Sequence, residues 1–301
     1  MITSNAHEEP VEPALMGQAR GSSTVLRIVL GTQLRRLREK RHITLDQAGN
    51  AIRASHSKVS RMENGRVSFR VRDVADLLTL YGVTAEEDRA PLLALVERAN
   101  LPGWWHDYGD VLPTWFETYV SLEAAASVIR NYEVQFVPGL LQSEEYARAV
   151  IRLGFPDAPE EEIRRRVDLR MARRRILDGA QSPHLWAVLD EAVLRRPLGG
   201  AEVMRGQIDH ILQMIRKPNV TVQIAPFSIG GHAAAGGPFS LLRFAQPDLP
   251  DIVYMEQLTS AVYLDKRTDV DRYLEVMERL CIEAEQASKT EDILLRMRDA
   301  L

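Results

Sequence analysis

Apolar residues recur at the three- and four-residue spacing of an amphipathic helix through the first third of this 301-residue chain. The spacing predicts helices over residues 25–41, 71–81 and 85–100, with two shorter helices inside residues 44–65. Residues 1–23 are rich in Ala, Glu, Pro, Gly and Ser without such a period, so we expect a flexible arm there. The pattern therefore predicts a helical domain over residues 24–100.

The segment between residues 44 and 65 is the most regular part of that domain. Thr44 and Ser55 stand where its two helices begin, and both residue types cap helix N-termini. Gly65 suits the position after a helix C-terminus. The inner faces are apolar, with Leu45, Ala48 and Ile52 on the first helix and Val59 and Met62 on the second. The segment is predicted to be two short helices joined by a tight turn.

After residue 100 the pattern becomes mixed. Leu101, Pro102 and Gly103 interrupt the chain and mark a domain boundary. Alternating apolar and polar residues predict short strands at residues 185–189, 220–225, 240–244, 252–255 and 261–264. Helical spacing predicts helices at residues 122–129, 159–179, 200–216 and 270–284, one after the cap residue Ser143, and a last one opening at Ser288. We expect an α+β domain over residues 101–301, with a small, mostly antiparallel sheet.

The net charge of −4 conceals an uneven distribution. Residues 20–72 contain thirteen Lys and Arg against three acids, a balance of +10. The remainder contains 25 bases against 39 acids, a balance of −14. Basic charge concentrated in one short segment is typical of a DNA-binding surface. The acidic remainder argues against a second nucleic-acid-binding domain.

Composition also bears on location. The single cysteine, Cys281, excludes a disulfide framework and a cysteine-based zinc site, and it fits a reducing cytosol. Residues 218–242 carry no formal charge, but prolines and glycines divide them into strand, loop and strand, which argues against a membrane span. Acidic residues near the N-terminus replace the basic region of a signal peptide. We expect a cytoplasmic, nucleoid-associated protein with no membrane partner.

The outer face of the second short helix carries short or donor-rich side chains. These are His56, Ser57, Lys58, Ser60 and Arg61. A helix that enters the major groove needs donors for base edges and cations for phosphates. The alternative is an amphipathic hairpin of two helices on the surface of the domain.

The segment resembles the helix-turn-helix of lambda-repressor-like (XRE-type) regulators. The matching positions are Thr44, Ser55, Val59, Ser60, Glu63, Asn64 and Gly65. Leu45, Gly49 and Arg53 depart from the family, which has Gln, Ala and the turn Gly there. Arg53 leaves the turn geometry open, because glycine adopts positive φ most easily.

The resemblance implies double-stranded DNA as a partner and a homodimer as the binding form. It implies base contacts from His56, Ser57 and Arg61. We expect DNA backbone contacts from Thr44, Lys58, Ser60, Arg35, Arg36 and Arg66. The resemblance also implies a structural ion pair between Arg38 and Glu63, because a carboxylate facing the domain interior is unfavourable without a partner.

Aromatic residues follow the boundary, namely Trp104, Trp105, Tyr108, Trp115 and Phe116. Such a run forms an interdomain wedge or lines a ligand pocket. Trp104, Trp105, Glu123 and the segments 138–142, 146–148, 189–195, 230–232 and 254–256 resemble an actinobacterial domain of unknown function. That resemblance implies a small protein partner encoded nearby, in an antitoxin-like or developmental control pair.

Two further features of the second domain leave alternatives open. The helix at residues 159–179 is dense in arginine, so it is a solvated face, a docking face for an acidic partner or an added DNA backbone contact. Trp104, Trp105, Glu191, His232 and Glu256 are candidates for a sensing pocket. The sequence contains no phosphate-loop, dinucleotide or metal-binding signature, so we expect no catalytic residues, metal or cofactor.

Together these observations predict a sequence-specific DNA-binding transcriptional regulator. Its C-terminal domain is expected to sense a small protein partner or a ligand. The alternative is an α+β enzyme domain with a nucleotide-type ligand, localised to DNA by the helix-turn-helix.

Overall fold

The computed structural model describes residues 23–65, 67–246 and 249–301. The chain divides into two compact units between Gly103 and Trp104. Residues 1–22 of the predicted arm lie outside the described residues, and Ser23 already belongs to the first helix.

The first unit is helical, as the apolar spacing predicted. Its helices are α1 (Ser23–Lys40), α2 (Leu45–Ala51), α3 (His56–Glu63), α4 (Val71–Leu80) and α5 (Glu86–Ala99). Each of them contributes to one buried core, which includes Leu30, Leu34, Ala48, Val59, Met62, Leu77, Leu78 and Val96. The buried side chains recur at the helical spacing seen in the sequence, so burial of one face per helix determines this unit.

The second unit combines helices with a sheet. Its helices are α6 (Thr114–Ala125), α7 (Glu144–Gly154), α8 (Glu160–Arg174), α9 (Glu191–Arg195), α10 (Ala201–Met214), α11 (Arg267–Glu283) and α12 (Thr290–Asp299). Its strands are β1 (Val128–Glu133), β2 (His184–Asp190), β3 (Val220–Ala225), β4 (Phe239–Arg243), β5 (Ile252–Glu256) and β6 (Ala261–Leu264). In the described residues these strands form a six-stranded sheet of order β3-β2-β1-β4-β5-β6.

The expectation of a small, mostly antiparallel sheet is wrong. Strand β1 pairs in parallel with β2, and β2 pairs in parallel with β3. The pairs β1–β4, β4–β5 and β5–β6 are antiparallel, so the sheet is mixed. The parallel half follows from its connections, because the helical crossovers α7–α8 and α9–α10 return the chain to the end of the sheet from which it started.

Two predicted segment boundaries also differ from the structure. Residues 122–129, predicted as one helix, contain the end of α6 and the start of β1, so the central strand was missed. Helix α12 begins at Thr290, after a short 3₁₀ turn, and not at Ser288. The buried Thr290 hydroxyl donates to the Val222 carbonyl at 2.6 Å, which attaches α12 to β3.

Candidate nucleic-acid interface and sensing residues

The two helices of the helix-turn-helix begin at side-chain caps. Thr44 Oγ1 accepts from the Gln47 N–H at 3.2 Å, and Gln47 Oε1 accepts from the Thr44 N–H at 2.8 Å. Ser55 Oγ accepts from the Lys58 N–H at 3.3 Å. The predicted caps are confirmed, and they fix the first turns of α2 and α3.

The turn between α2 and α3 contains Arg53 in the left-handed region, with φ of +54°. This conformation costs an L side chain about 1–2 kcal/mol. The turn brings the Ala54 carbonyl so close to Gly49 that a Cβ at residue 49 would lie 2.6 Å from that oxygen. The two departures from the family pattern, glycine at 49 and arginine at 53, are therefore parts of one turn geometry.

The outer face of α3 exposes His56, Ser57 and Arg61. Ser57 Oγ lies 3.4 Å from His56 Nε2, and Arg61 Nε donates to the Ser57 carbonyl at 3.3 Å. His56 Nδ1 is 3.7 Å from a carboxylate oxygen of Asp46. These three side chains form a continuous donor-rich surface, called here the α3 surface.

The side chains expected at the DNA backbone have different surroundings. Thr44 is exposed but its hydroxyl caps α2, and Ser60 is half-buried. Arg35 and Arg36 are exposed on α1, and Arg35 pairs with Glu39 at 3.0 Å. Arg66 lies outside the described residues.

Lys58 has a partner that the sequence did not suggest. Its Nζ lies 2.6 Å from Asp73 Oδ2 on α4, and the Asp73 side chain is 12% exposed. The charge of Lys58 is therefore largely neutralised within the unit. Its main contact joins α3 to α4, which leaves Arg61 as the more available cation of α3.

Arg38 and Glu63 form a bidentate ion pair between α1 and α3. The distances are 2.6 Å from Nε to Oε1 and 2.9 Å from Nη2 to Oε2. Arg38 Nη1 also donates to the Ile43 carbonyl at 2.8 Å. The hydrogen bond to Glu63 raises the pKa of Arg38, although burial opposes the rise.

Close backbone contact supports the same helix pair. A Cβ on Gly31 of α1 would lie 2.5 Å from the Met62 carbonyl oxygen and 2.6 Å from that of Glu63. The absence of a side chain at Gly31 therefore permits this approach of α1 to the end of α3. Together with the ion pair, it sets the angle at which the α3 surface is presented.

In the second unit, the aromatic run packs on its own unit. Trp105 is buried with Leu112, Val120 and Leu169, and its Nε1 donates to Glu117 Oε1 at 3.3 Å. Trp104, which is 37% exposed, contacts the Trp105 ring edge-on. This part of the predicted pocket is the edge of a small core.

Glu191, His232 and Glu256 have separate neighbours, and no hydrogen bond, ion pair or ring contact joins these three within the described residues. Glu191 binds Arg195 Nε at 2.6 Å and the Phe227 N–H at 2.8 Å. Burial opposes ionisation, but these donors hold the pKa of Glu191 below its usual value.

His232 and Glu256 each contact a tyrosine of the sheet. His232 Nδ1 accepts from the Ala234 N–H at 3.2 Å, so in the neutral ring Nε2 carries the proton and donates to Tyr132 Oη at 2.8 Å. Tyr254 Oη donates to Glu256 Oε2 at 3.0 Å. Both side chains therefore have structural partners.

Comparison with protein-family models gives a match in each unit. A helix-turn-helix domain model matches residues 29–92, and the model of a domain of unknown function (DUF5753) matches residues 116–296, more than half of the chain. The chain belongs to the DUF5753 family. The helix-turn-helix match indicates a DNA-binding regulator. No curated protein and no solved structure matched the chain.

The DUF5753 domain contains a second buried pair that the spacing of residues did not reveal. Arg173 on α8 binds Glu123 on α6 through two hydrogen bonds, at 2.9 and 2.8 Å. The side chains are 7% and 2% exposed. The Arg173 guanidinium also lies over the Phe116 ring, 4.8 Å from its centroid.

The contacts of the other α8 arginines bear on the three alternatives for this helix, which are a solvated face, a docking face and a DNA backbone contact. Arg164 is exposed and pairs with Glu161, as expected for a solvated face. Arg165 binds Asp110, Arg166 binds Glu162 and the Val111 carbonyl, and Arg170 binds Gln142. Most of the arginines therefore hold α8 against its own unit, which periodicity alone could not indicate.

Glu133, at the end of β1, is a further site that the sequence did not indicate. Burial, followed by the negative charge of Glu256, raises the pKa of this half-buried carboxyl to about 8, although Arg170 opposes the rise. Glu133 thus titrates near neutral pH.

Two absences apply to the described residues. No helix there has the length and apolar character needed to cross a membrane. Those residues also contain no group of three or more His, Cys, Asp and Glu side chains placed to hold a metal ion.

Proposed function

We propose that the chain is a sequence-specific transcriptional regulator of the lambda-repressor-like (XRE) type, from an actinobacterial lineage. His56, Ser57 and Arg61 contact base edges, while Arg35 and Arg36 contact the phosphate backbone. The observation that carries the proposal is the exposed α3 surface, held by the caps, the Lys58–Asp73 contact and the Arg38–Glu63 pair. A rigid, donor-rich helix of this kind suits the major groove.

We propose that the protein binds DNA as a homodimer in the cytoplasm, associated with the nucleoid. One recognition helix contacts only a few base pairs, so pairing of two copies on a two-fold-symmetric site supplies the remaining specificity. The +10 balance of residues 20–72 supports binding driven by phosphate neutralisation.

The second unit, in this proposal, receives a signal and is not an enzyme. The signal is a small companion protein encoded nearby, in an antitoxin-like or developmental control pair, or a small ligand. The hydrogen bonds of Glu191 and His232 support the non-catalytic role, because both groups already serve structural contacts.

The experiment is selection of duplexes from a random library, followed by anisotropy titration of the full chain with a selected and a shuffled duplex. We expect tighter binding to the selected duplex and at least about a tenfold loss between about 50 and 200 mM salt. Equal affinity for both duplexes, or affinity independent of salt, would contradict DNA recognition. Co-purification with the product of the adjacent gene tests the partner.

A further inference from the structure

A cleft of about 370 Å³ opens at the carboxyl ends of the parallel strands β2 and β3. Its apolar lining includes Ile224 and Pro226 from the end of β3, and Ile293 and Met297 from α12. The volume lies in the range of small-molecule sites. In open α/β sheets, ligands bind in crevices outside the carboxyl ends of the strands.

Four charged residues that the structure describes line the cleft, the acids Glu191 and Glu285 and the arginines Arg195 and Arg296, and they differ in whether they have a partner. Glu191 binds Arg195, and Glu285 binds Lys289 at 3.1 Å, so both acids have cationic partners. Arg296 lines the same cleft and is exposed. Its guanidinium makes no hydrogen bond or ion pair with any residue that the structure describes. Arg296 is therefore the charged group of this lining that has no ionic partner among the described residues.

Arg195 is a second donor, held in place by Glu191. One Glu191 oxygen accepts from Arg195 Nε at 2.6 Å, and the other accepts from the Phe227 N–H at 2.8 Å. The Arg195 side chain is still 57% exposed, so its terminal N–H groups are open to a ligand. The buried carboxylate thus orients this guanidinium without covering it.

The walls of the cleft are fixed to each other. The Glu285 N–H donates to the Ile224 carbonyl at 2.9 Å, and Gln223 Nε2 donates to the Glu285 carbonyl at 3.0 Å. The Thr290 hydroxyl bond to Val222 holds the start of α12 on the same strand. A cleft built in this way is preformed, which reduces the entropic cost of binding.

We propose that the cleft binds an amphipathic organic acid. Its carboxylate pairs with Arg296, with Arg195 as a second donor, and its apolar body covers Ile224, Ile293 and Met297. An organic cation would meet the uncompensated guanidinium, and an uncharged apolar molecule would desolvate it without a partner. This inference rests on the signal-receiving role proposed for the second unit, and it names the class of ligand.

The first test uses the full chain and two probes of similar length and opposite charge, octanoate and octylammonium. The reporter is anilinonaphthalene sulfonate, a fluorescent organic anion, which is added until the protein is saturated. Octanoate or octylammonium is then added to displace it. We expect one saturable site that octanoate empties and octylammonium does not. Equal displacement by both probes, or no displacement by octanoate, would overturn the proposal.

Variants then locate the site. We expect Arg296→Gln to weaken octanoate binding about tenfold or more, since it removes the charge-assisted pair. Ile293→Asp places a carboxylate on the apolar wall and should have a similar effect. The matched control is Arg279→Gln on α11, an exposed arginine outside the cleft lining, which should leave binding unchanged. If Arg296→Gln binds octanoate as tightly as the natural chain does, the site lies elsewhere.

A final measurement separates this inference from the proposed function, because the displacement assay needs no DNA. If the chain binds octanoate but does not recognise DNA, the proposed regulator function is wrong and the ligand site stands. If the chain recognises DNA but Arg296→Gln does not change its octanoate binding, the proposed site is wrong and the regulator function stands. If the site is the signal receiver, octanoate must change DNA affinity in the natural chain and not in Arg296→Gln at equal octanoate concentration. An unchanged affinity with octanoate bound would overturn the signalling role.

Discussion

Each unit contains a buried arginine–glutamate pair of similar geometry, but the surroundings of the two pairs differ. Arg38–Glu63 joins α1 to α3 directly behind the α3 surface, and its arginine also binds the Ile43 carbonyl. Arg173–Glu123 joins α8 to α6 and is more deeply buried, with 7% and 2% of its side chains exposed. The first pair positions a surface, whereas the second stabilises an interior.

The remaining arginines follow the same division. In the first unit, Arg35, Arg36 and Arg61 are exposed in a segment with few acids. In the second unit, Arg165, Arg166 and Arg170 bind groups of their own unit. An arginine-dense sequence therefore has two different structural meanings, and the acids and carbonyls that face it decide between them.

The largest effect that tests this comparison is expected from Glu123→Ala. Removing the carboxylate leaves the buried Arg173 charge without its partner, which costs about 3–5 kcal/mol. All four tryptophans of the chain, at positions 104, 105, 115 and 186, lie in the second unit, so urea unfolding followed by tryptophan fluorescence reports on that unit. The control is Glu161→Ala, which removes the exposed partner of Arg164 and should change little. Equal midpoints for the two variants would show that the buried pair is dispensable.

A somewhat smaller loss is expected from Glu63→Ala, about 3 kcal/mol in the first unit, because Arg38 is slightly more exposed than Arg173. Far-ultraviolet circular dichroism should show the loss, while the tryptophan signal stays unchanged. The double variant Arg38→Met with Glu63→Leu should recover much of the stability, since it removes both charges. Effects of single substitutions that add within about 0.5 kcal/mol in a double-mutant cycle would mean that the side chains do not interact.

The first unit could be predicted from the sequence because its determinants are local. Helical spacing, the caps at Thr44 and Ser55 and the glycine at position 65 each act within a few residues. The Lys58–Asp73 contact was missed because α3 and α4 meet only in three dimensions. Spacing on one helix gives no information about a partner on another.

The second unit was predicted less well because its determinants are distant in the chain. The limits of β3 and β6 were correct and those of β2, β4 and β5 nearly so, but the missing strand β1 is the one between the parallel and antiparallel halves. The residues of β1, Val128–Glu133, alternate poorly in burial, since Asn131 and Tyr132 are both buried. Of the expected sensing residues, Glu191 lines the proposed cleft. Arg296 lines it too, but the pattern that predicted the last helix gave no indication that this arginine would lie beside the end of β3.

Arg61→Ala and Arg164→Ala compare an exposed arginine of the first unit with an exposed arginine of the second unit. Loss of Arg61 should cost about 1–3 kcal/mol on the selected duplex and little on a shuffled one, as expected for a side chain that contacts base edges. Arg35→Ala should weaken binding to both duplexes about equally, because it removes a phosphate contact. Arg164→Ala, on α8, should change neither. A loss from Arg164→Ala similar to that from Arg35→Ala would make α8 part of the DNA-binding surface.

The smallest expected effect is a pH dependence of stability that Glu133 gives to the second unit and not to the first. The folded state raises the pKa of this carboxyl to about 8, so between its ordinary value and 8 the folded chain holds a proton that the unfolded chain has lost. Stability of the second unit should therefore fall as pH rises through this interval.

Glu133→Gln keeps the site neutral at every pH, so its advantage over the natural chain should grow with pH. We expect almost no difference near pH 5 and, because Glu133 is only half-buried, a gain on the order of 1 kcal/mol near pH 9. Urea unfolding by tryptophan fluorescence at several pH values measures the gain, with the exposed Glu291→Gln on α12 as the control. The first unit, followed by the DNA affinity of the selected duplex, should show no difference between Glu133→Gln and the natural chain over the same interval. A stability difference between the two chains that stays constant over this pH range would mean that Glu133 is ionised in the folded chain, with a pKa close to its ordinary value.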